Sequence, residues 1–279
     1  MFVDKAVNEK KSVWLPPLRT PARSHLRLFC FPYAGGSASA FARWPDLLPA
    51  TVDVRPVQLP GRWNRMRETP LTRFEDALRV LAQVLPPFFD RPFAFFGHSM
   101  GALLAFEMAR YLQREGLPQP LHLFVSGRRA PHMPDTDLLP AGLNDQEFNE
   151  RLRELNGTPN EVLQNPELMS LLLPSIRADF DVCRSHEYVP GPPLACPLTV
   201  FGGIDDIESA EDRLEAWDMH TTGPRMLFKF PGDHFYLHSA EASLLRVLGA
   251  SLRSLTMDEA QALGQAQGSG LRAKEPDRN

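Results

Sequence analysis

Three cysteines in 279 residues are too few and too widely spaced for a disulfide framework. Cys30, Cys183 and Cys196 fit no metal-ligand spacing either, so no metal centre is expected. Cys30 lies in an apolar run and reads as a small buried hydrophobe. Long apolar stretches are missing. None approaches the roughly 18 residues of a membrane-crossing helix. Met1 to Lys11 lacks the apolar centre of a secretory leader. Charge of one sign is not in excess, and a net charge of −4 leaves no basic footprint for nucleic acid. Internal repeats are lacking as well. These absences point away from a stapled secreted module, a helical membrane protein, a nucleic-acid binder and a solenoid. The expected compartment is the reducing cytoplasm.

What is present is an ordinary globular balance, 43% hydrophobic and 23% charged, on a chain long enough to bury a large core. Short apolar runs alternate with helical periodicity. Leu26–Phe31, Val52–Val57, Pro92–Phe96 and Leu121–Ser126 read as strands. Helices are expected near 38–47, over Phe74–Leu85 until Pro86-Pro87, and from Ala102 onward. The strands are continuously apolar, as in a sheet covered on both faces. The β/α alternation predicts an α/β fold, with a mostly parallel central sheet flanked by helices.

The rhythm breaks between about 131 and 193. A helix over Asp145–Leu155 stops at Asn156-Gly157-Thr158-Pro159, and a Leu- and Met-rich helical segment follows over Pro166–Tyr188. An insertion of this size exceeds an ordinary connection and is read as a helical lid. The sheet pattern resumes at Pro197–Phe201, with a helix near 209–220, a strand near Met226–Phe230 and a last helix near Ala240–Leu255. The expected layout is an arm over 1–24 with Trp14 and Leu15 as its anchors, a catalytic domain over 25–255, and a disordered tail over 256–279.

One stretch organises the chemistry. Gly97-His98-Ser99-Met100-Gly101 follows an apolar strand and precedes a good helix former. Strand, tight turn and helix would present the Ser99 hydroxyl above the sheet edge. A serine hydroxyl needs a base beside it, and in this arrangement the base comes late in the chain. His220, His234 and His238 all qualify by position. His234, in the turn Phe230-Pro231-Gly232-Asp233-His234-Phe235 after a strand, is the best placed. The orienting acid should follow the strand ending at Phe201. Asp205 and Asp206 have equal claims there, while Asp233 reads as a turn residue. His98 points the wrong way for a base and reads as a residue that shapes the turn. The Met100 amide is one expected oxyanion donor. The second comes from the loop bearing Gly35-Gly36, with Ala34 named and Tyr33 its neighbouring alternative.

Several motifs in order resemble the type II thioesterases of polyketide and nonribosomal peptide assembly lines. They are Phe31-Pro32-Tyr33-Ala34-Gly35-Gly36, Gln58-Leu59-Pro60-Gly61-Arg62, Phe95-Phe96-Gly97-His98-Ser99-Met100-Gly101, Ser126-Gly127-Arg128-Arg129-Ala130-Pro131, Arg177-Ala178-Asp179-Phe180 and Phe230-Pro231-Gly232-Asp233-His234-Phe235. The resemblance spans about residues 14–250. It implies an α/β-hydrolase fold with a helical lid, and the triad Ser99, Asp206 and His234. Two positions depart from the family pattern: Ile207 stands where proline is frequent, and Asp233 where a second glycine is frequent.

The resemblance also implies a substrate. This is an acyl thioester on the phosphopantetheine arm of an acyl or peptidyl carrier protein, cleared by hydrolysis as an editing step, with no cofactor of the enzyme's own. Arg62, Arg65 and Arg128 are candidates for meeting an acidic carrier, the alternative being surface charges or internal salt bridges. Met169, Leu172 and Phe235 are candidates for substrate contact, with lid core as the competing role for the first two. A monomer without membrane association is expected. Other readings are a small-molecule serine esterase, a product-releasing acyltransferase or cyclase, and a non-enzymatic binding protein of the same fold.

Overall fold

The structure, a computed structural model, describes residues 13–18, 24–134, 139–154 and 165–270. Six strands form one sheet: β1 (Leu26–Phe31), β2 (Val52–Pro56), β3 (Phe93–His98), β4 (Leu123–Ser126), β5 (Leu198–Gly203) and β6 (Arg225–Phe230). Their order is β2-β1-β3-β4-β5-β6 and every pairing is parallel. All six lie where the apolar runs predict them. Alternate residues feed opposite faces, which explains the mostly apolar runs, and the charged interruptions Arg27, Asp53 and Arg55 are buried as ion pairs with one another. Phe29, Phe31, Phe95, Val125 and Val200 pack on one side against α2 (Phe74–Val84) and α3 (Met100–Arg114). Leu28, Cys30, Phe96, Phe124 and Phe201 pack on the other, where Trp44 of α1 (Trp44–Leu47) and Leu244, Leu248 and Leu252 of the last helix close the layer.

The chain runs from β1 outward to β2, then crosses to β3 on the far side of β1. The loops after β1 and β3 therefore part at a reversal of strand order, the usual place for a site in an open parallel sheet.

Between β4 and β5 lie α4 (Asp145–Glu154) and α5 (Pro166–Arg184), the two helices expected of the lid. Asn165 caps α5, its side chain accepting from the Glu167 and Leu168 amides. The two helices share a small apolar cluster of their own, built from Leu139, Phe148, Leu152, Met169, Leu173 and Ile176. The stop at Asn156–Pro159 lies outside the described residues. Beyond β5 come α6 (Glu211–Glu215), α7 (Tyr236–Ser239) and α8 (Glu241–Gly270).

The sequence reading ends order at 255, but α8 continues to Gly270. Residues 256–270 are rich in alanine and glutamine, which form helix readily. Residues 271–279 lie outside the described set. In the arm, Leu15 is fully buried in the main core and the Trp14 carbonyl accepts from the Gln58 amide at 2.8 Å, so these two residues do anchor it.

Candidate active site

Ser99 ends β3 and starts α3 with φ 53° and ψ −115°, a strained conformation for a residue with a side chain. The flanking glycines make the turn possible. A Cβ at Gly97 would come within 2.1 Å of the Gly101 carbonyl oxygen, and one at Gly101 within 2.0 Å of the Phe31 oxygen. The Ser99 amide donates to the Ser126 carbonyl at 2.8 Å, which ties the turn to β4. Met100 opens α3, so its N–H has no intrahelical acceptor.

Burial separates the two competing aspartates. Asp205 is exposed, whereas Asp206 is 7% exposed and sits 3.0 Å from His234 Nδ1 through Oδ2. The same carboxylate accepts from the Ser209 hydroxyl at 2.6 Å and the Glu208 amide at 3.0 Å. Burial alone would raise the Asp206 carboxyl. The His234 hydrogen bond and charge, with the Ser209 hydroxyl, outweigh it and hold the group below its ordinary value. A carboxylate only accepts, so Nδ1 of His234 carries the proton and Nε2 presents a lone pair. Asp233 is a turn residue, its Oδ1 accepting from the Phe235 amide at 2.9 Å.

His98 does not face outward as a base. Its Nε2 lies 3.0 Å from the His234 carbonyl, and its Nδ1 lies 2.8 Å from the Ser126 hydroxyl. The carbonyl only accepts, so Nε2 donates and Nδ1 accepts from Ser126. Ser126 in turn receives the Tyr236 hydroxyl at 2.5 Å. Burial, then the neighbouring His234 charge, pushes the His98 imidazole well below its usual range, so it stays neutral and holds this pattern. Gly127 (φ 59°) lets β4 pass the ring, since a Cβ there would lie 2.7 Å from His98 Cε1. Neither Ser126 nor Tyr236 stands out in the sequence, because a core serine or tyrosine looks the same with or without such a partner.

In the loop after β1, the Gly35 amide donates to Asp179 Oδ2 at 2.7 Å and the Gly36 amide to the Tyr33 carbonyl at 2.8 Å. No acceptor is found for the Ala34 N–H among the described residues. Phe235 packs edge-on against Tyr33 and His234, beside the turn rather than in the lid.

The arginine readings need correction. Arg62 is 3% exposed and makes a two-pronged pair with Asp179, at 2.5 and 2.6 Å. Arg65 is also buried. Its guanidinium lies 3.7 Å from the Trp14 ring centroid and donates to the Gln58 carbonyl and to Glu68. Neither presents its charge to a partner; of the cluster, Arg67 is the exposed member. Arg128 is nearly buried in the wall of a cavity of about 230 Å³, with Leu103, His132, Cys183, His186 and Tyr188. Leu103 lies one turn beyond Ser99 on α3, but Ser99, Asp206 and His234 are not among the residues that line this cavity. Met169 belongs to the lid cluster and Leu172 packs against it. Among the described residues, no group of three or more His, Cys, Asp or Glu is arranged to hold a metal, and no helix is long and apolar enough to cross a membrane.

Comparison with known proteins identifies the family. A thioesterase domain family model matches residues 26–252. The gramicidin S biosynthesis protein GrsT of Aneurinibacillus migulanus is 44% identical over 244 residues, covering 86% of this chain and 94% of its own. Among solved structures, the RedJ thioesterase of the prodiginine pathway in Streptomyces coelicolor superposes with TM-score 0.77 at 40% identity, covering 90% of this chain and 97% of that one. The type II thioesterase BorB of the borrelidin cluster gives 0.76 at 37% identity, covering 86% and 97%.

Proposed function

The chain belongs to the thioesterase domain family of the α/β-hydrolase fold and hydrolyses thioesters, and from that premise we propose that it clears acyl groups from the phosphopantetheine arms of carrier proteins in an assembly line for polyketides or nonribosomal peptides. The observation that carries this reading is the part-buried Asp206–His234 pair, tied to the Ser99 elbow by the hydrogen bond from His98 Nε2 to the His234 carbonyl.

The proposed chemistry follows from those groups. Nε2 of His234 takes the Ser99 proton as Oγ adds to the thioester carbonyl. The Met100 and Ala34 amides receive the negative oxygen, in a role where one donor is worth about 10²–10³ in rate. The imidazolium, steadied by Asp206, then gives its proton to the departing thiolate. A water deprotonated by the same imidazole attacks the acyl-serine, and the free acid leaves with Ser99 restored. Every group comes from the chain itself, so the reaction calls for no cofactor. The relatives named above act in biosynthetic pathways, which supports a carrier-bound substrate and a cytoplasmic setting.

The test is hydrolysis of acyl-carrier proteins against the matching free pantetheine thioesters and oxygen esters, with wild type and Ser99→Ala. Ser99→Ala is expected to lower turnover by about 10⁴-fold or more, with carrier-bound short acyl groups preferred in the wild type. Equal turnover of free oxygen esters would replace this reading with an esterase. Transfer of the acyl group to an alcohol or amine in place of water would replace it with an acyltransferase.

A further inference from the structure

The lid and the loop after β1 meet at a single carboxylate. Asp179, on α5, accepts the Gly35 amide through Oδ2 at 2.7 Å. Both its oxygens are also taken by Arg62, which donates further to the Gly36 carbonyl at 3.1 Å and the Pro60 carbonyl at 3.3 Å. One turn earlier on the same helix, Ile176 packs on Gly35, where a Cβ would lie 3.0 Å from Cγ1. Arg62 and Asp179 are 3% and 1% exposed.

A buried ion pair is a poor stability device, since an apolar pair of similar shape usually serves as well. What it supplies here is a fixed acceptor for one backbone amide. With the Gly35 and Gly36 amides committed, the Tyr33 and Ala34 amides, the two candidate donors, are the ones in residues 33–36 left without an acceptor among the described residues. The carboxylate acceptor has a drawback. A bare carboxylate bonded one residue from the oxyanion donor would oppose the negative charge that forms there. The guanidinium fork removes the drawback by neutralising the carboxylate on its far side.

We propose that Arg62 and Asp179 are positioning residues for the oxyanion loop: Asp179 sets the loop from the lid helix, and Arg62 cancels the Asp179 charge at the place where the tetrahedral oxygen becomes negative. The inference rests on the serine thioesterase reading above. It gives the buried arginine a part in the reaction, in place of carrier docking.

The test compares Arg62→Gln, Asp179→Asn and the double variant by three readouts. These are kcat and KM on a free acyl-pantetheine thioester, thermal midpoint, and Kd for an alkylboronic acid. The boronic acid mimics the transition state: Ser99 Oγ bonds to boron, boron becomes tetrahedral and anionic, and the serine proton passes to His234. Arg62→Gln is expected to lower kcat and boronate affinity together by about 100-fold, with KM within about threefold. Asp179→Asn, which keeps an acceptor for Gly35 and removes the charge, should lose about tenfold. The double variant should recover to the Asp179→Asn level, because the guanidinium has nothing left to cancel. A double variant worse than Arg62→Gln overturns the proposal. So does a loss of thermal midpoint with kcat and boronate affinity intact. If Arg62→Gln does not fold, Arg62→Lys keeps the charge and gives up the fork. A matched loss of about tenfold in kcat and boronate affinity then supports the proposal, and no loss overturns it. Wild type that binds the boronic acid but hydrolyses no thioester would end the thioesterase reading, and the boronate series would still judge this one.

Discussion

The two halves of α5 behave as parts of different bodies. Its first half carries Met169 and Leu173 into the small lid cluster and leaves Leu168 and Leu171 exposed. Its last turns send Val182 and Cys183 into the main core and Asp179 to the loop after β1, while Ile176, two residues past Pro174, still belongs to the lid cluster. Pro174 stands between them. A proline inside a helix lacks the N–H for the carbonyl four residues back and crowds it, so the helix is weakest at that point. The lesson is that a lid need not be loose throughout. This one is fixed where Asp179 meets the loop after β1 and packs a small cluster of its own toward its other end.

The harshest way to break this contrast is to place the same charge in each half. Val182→Asp buries an unpaired carboxylate in the main core and should cost about 3–5 kcal/mol by urea unfolding. Leu173→Asp puts it in the lid cluster and should cost less than about 1 kcal/mol globally, while amide exchange across α4 speeds up. Equal global costs would mean that the lid and core unfold as one.

Acid sharpens the contrast next. Burial brings His122 and His220 down to about 4, His220 also through the charges of His132 and Arg110, and brings His98 well below its usual value. Between about pH 4 and 6.5 the unfolded chain binds protons at these rings that the folded chain refuses. Stability therefore falls as pH falls through that window, by up to about 1.4 kcal/mol per pH unit for each ring. Asp206 acts lower down. Its depressed value adds stability above the ordinary carboxylate range, near 4, and that share is lost as pH drops through its folded value. Among the described residues, no histidine belongs to or hydrogen-bonds with the lid cluster. Urea midpoints from pH 7 to 4.5 should fall while the exchange protection of the lid cluster holds. His122→Gln, away from the catalytic groups and bonded to Thr199 Oγ1 at 2.8 Å, should flatten the slope.

The mildest test is Leu168→Ser with Leu171→Ser. Exposed residues of the first half should change global stability by no more than about 0.5 kcal/mol. A loss above about 1 kcal/mol would show that this face is packed, and the contrast would fail.

The sheet was legible because both its faces are buried, which leaves short apolar runs that periodicity detects. The elbow was legible because its glycines are forced by backbone contact. The residues alone left Asp205 and Asp206 level, since both share the same spacing from a glycine and differ only in burial, and it was the family resemblance that pointed to Asp206. The Arg62 pairing was hidden for another reason. Its partner lies 117 residues away, and a buried arginine and a docking arginine look alike in one dimension.

The pairing of Arg62 with Asp179 also bears on the order in which the molecule can assemble itself. His234 and Asp206 are 28 residues apart on loops after neighbouring strands, whereas Arg62 and Asp179 close a loop of 117. Polymer-loop scaling makes the longer closure dearer by about 1.3 kcal/mol. In a refolding chain Asp206 and His234 can therefore meet while the loop after β1 is still unset. Competence for turnover then arrives as a late event, when the distant halves of the chain have found each other.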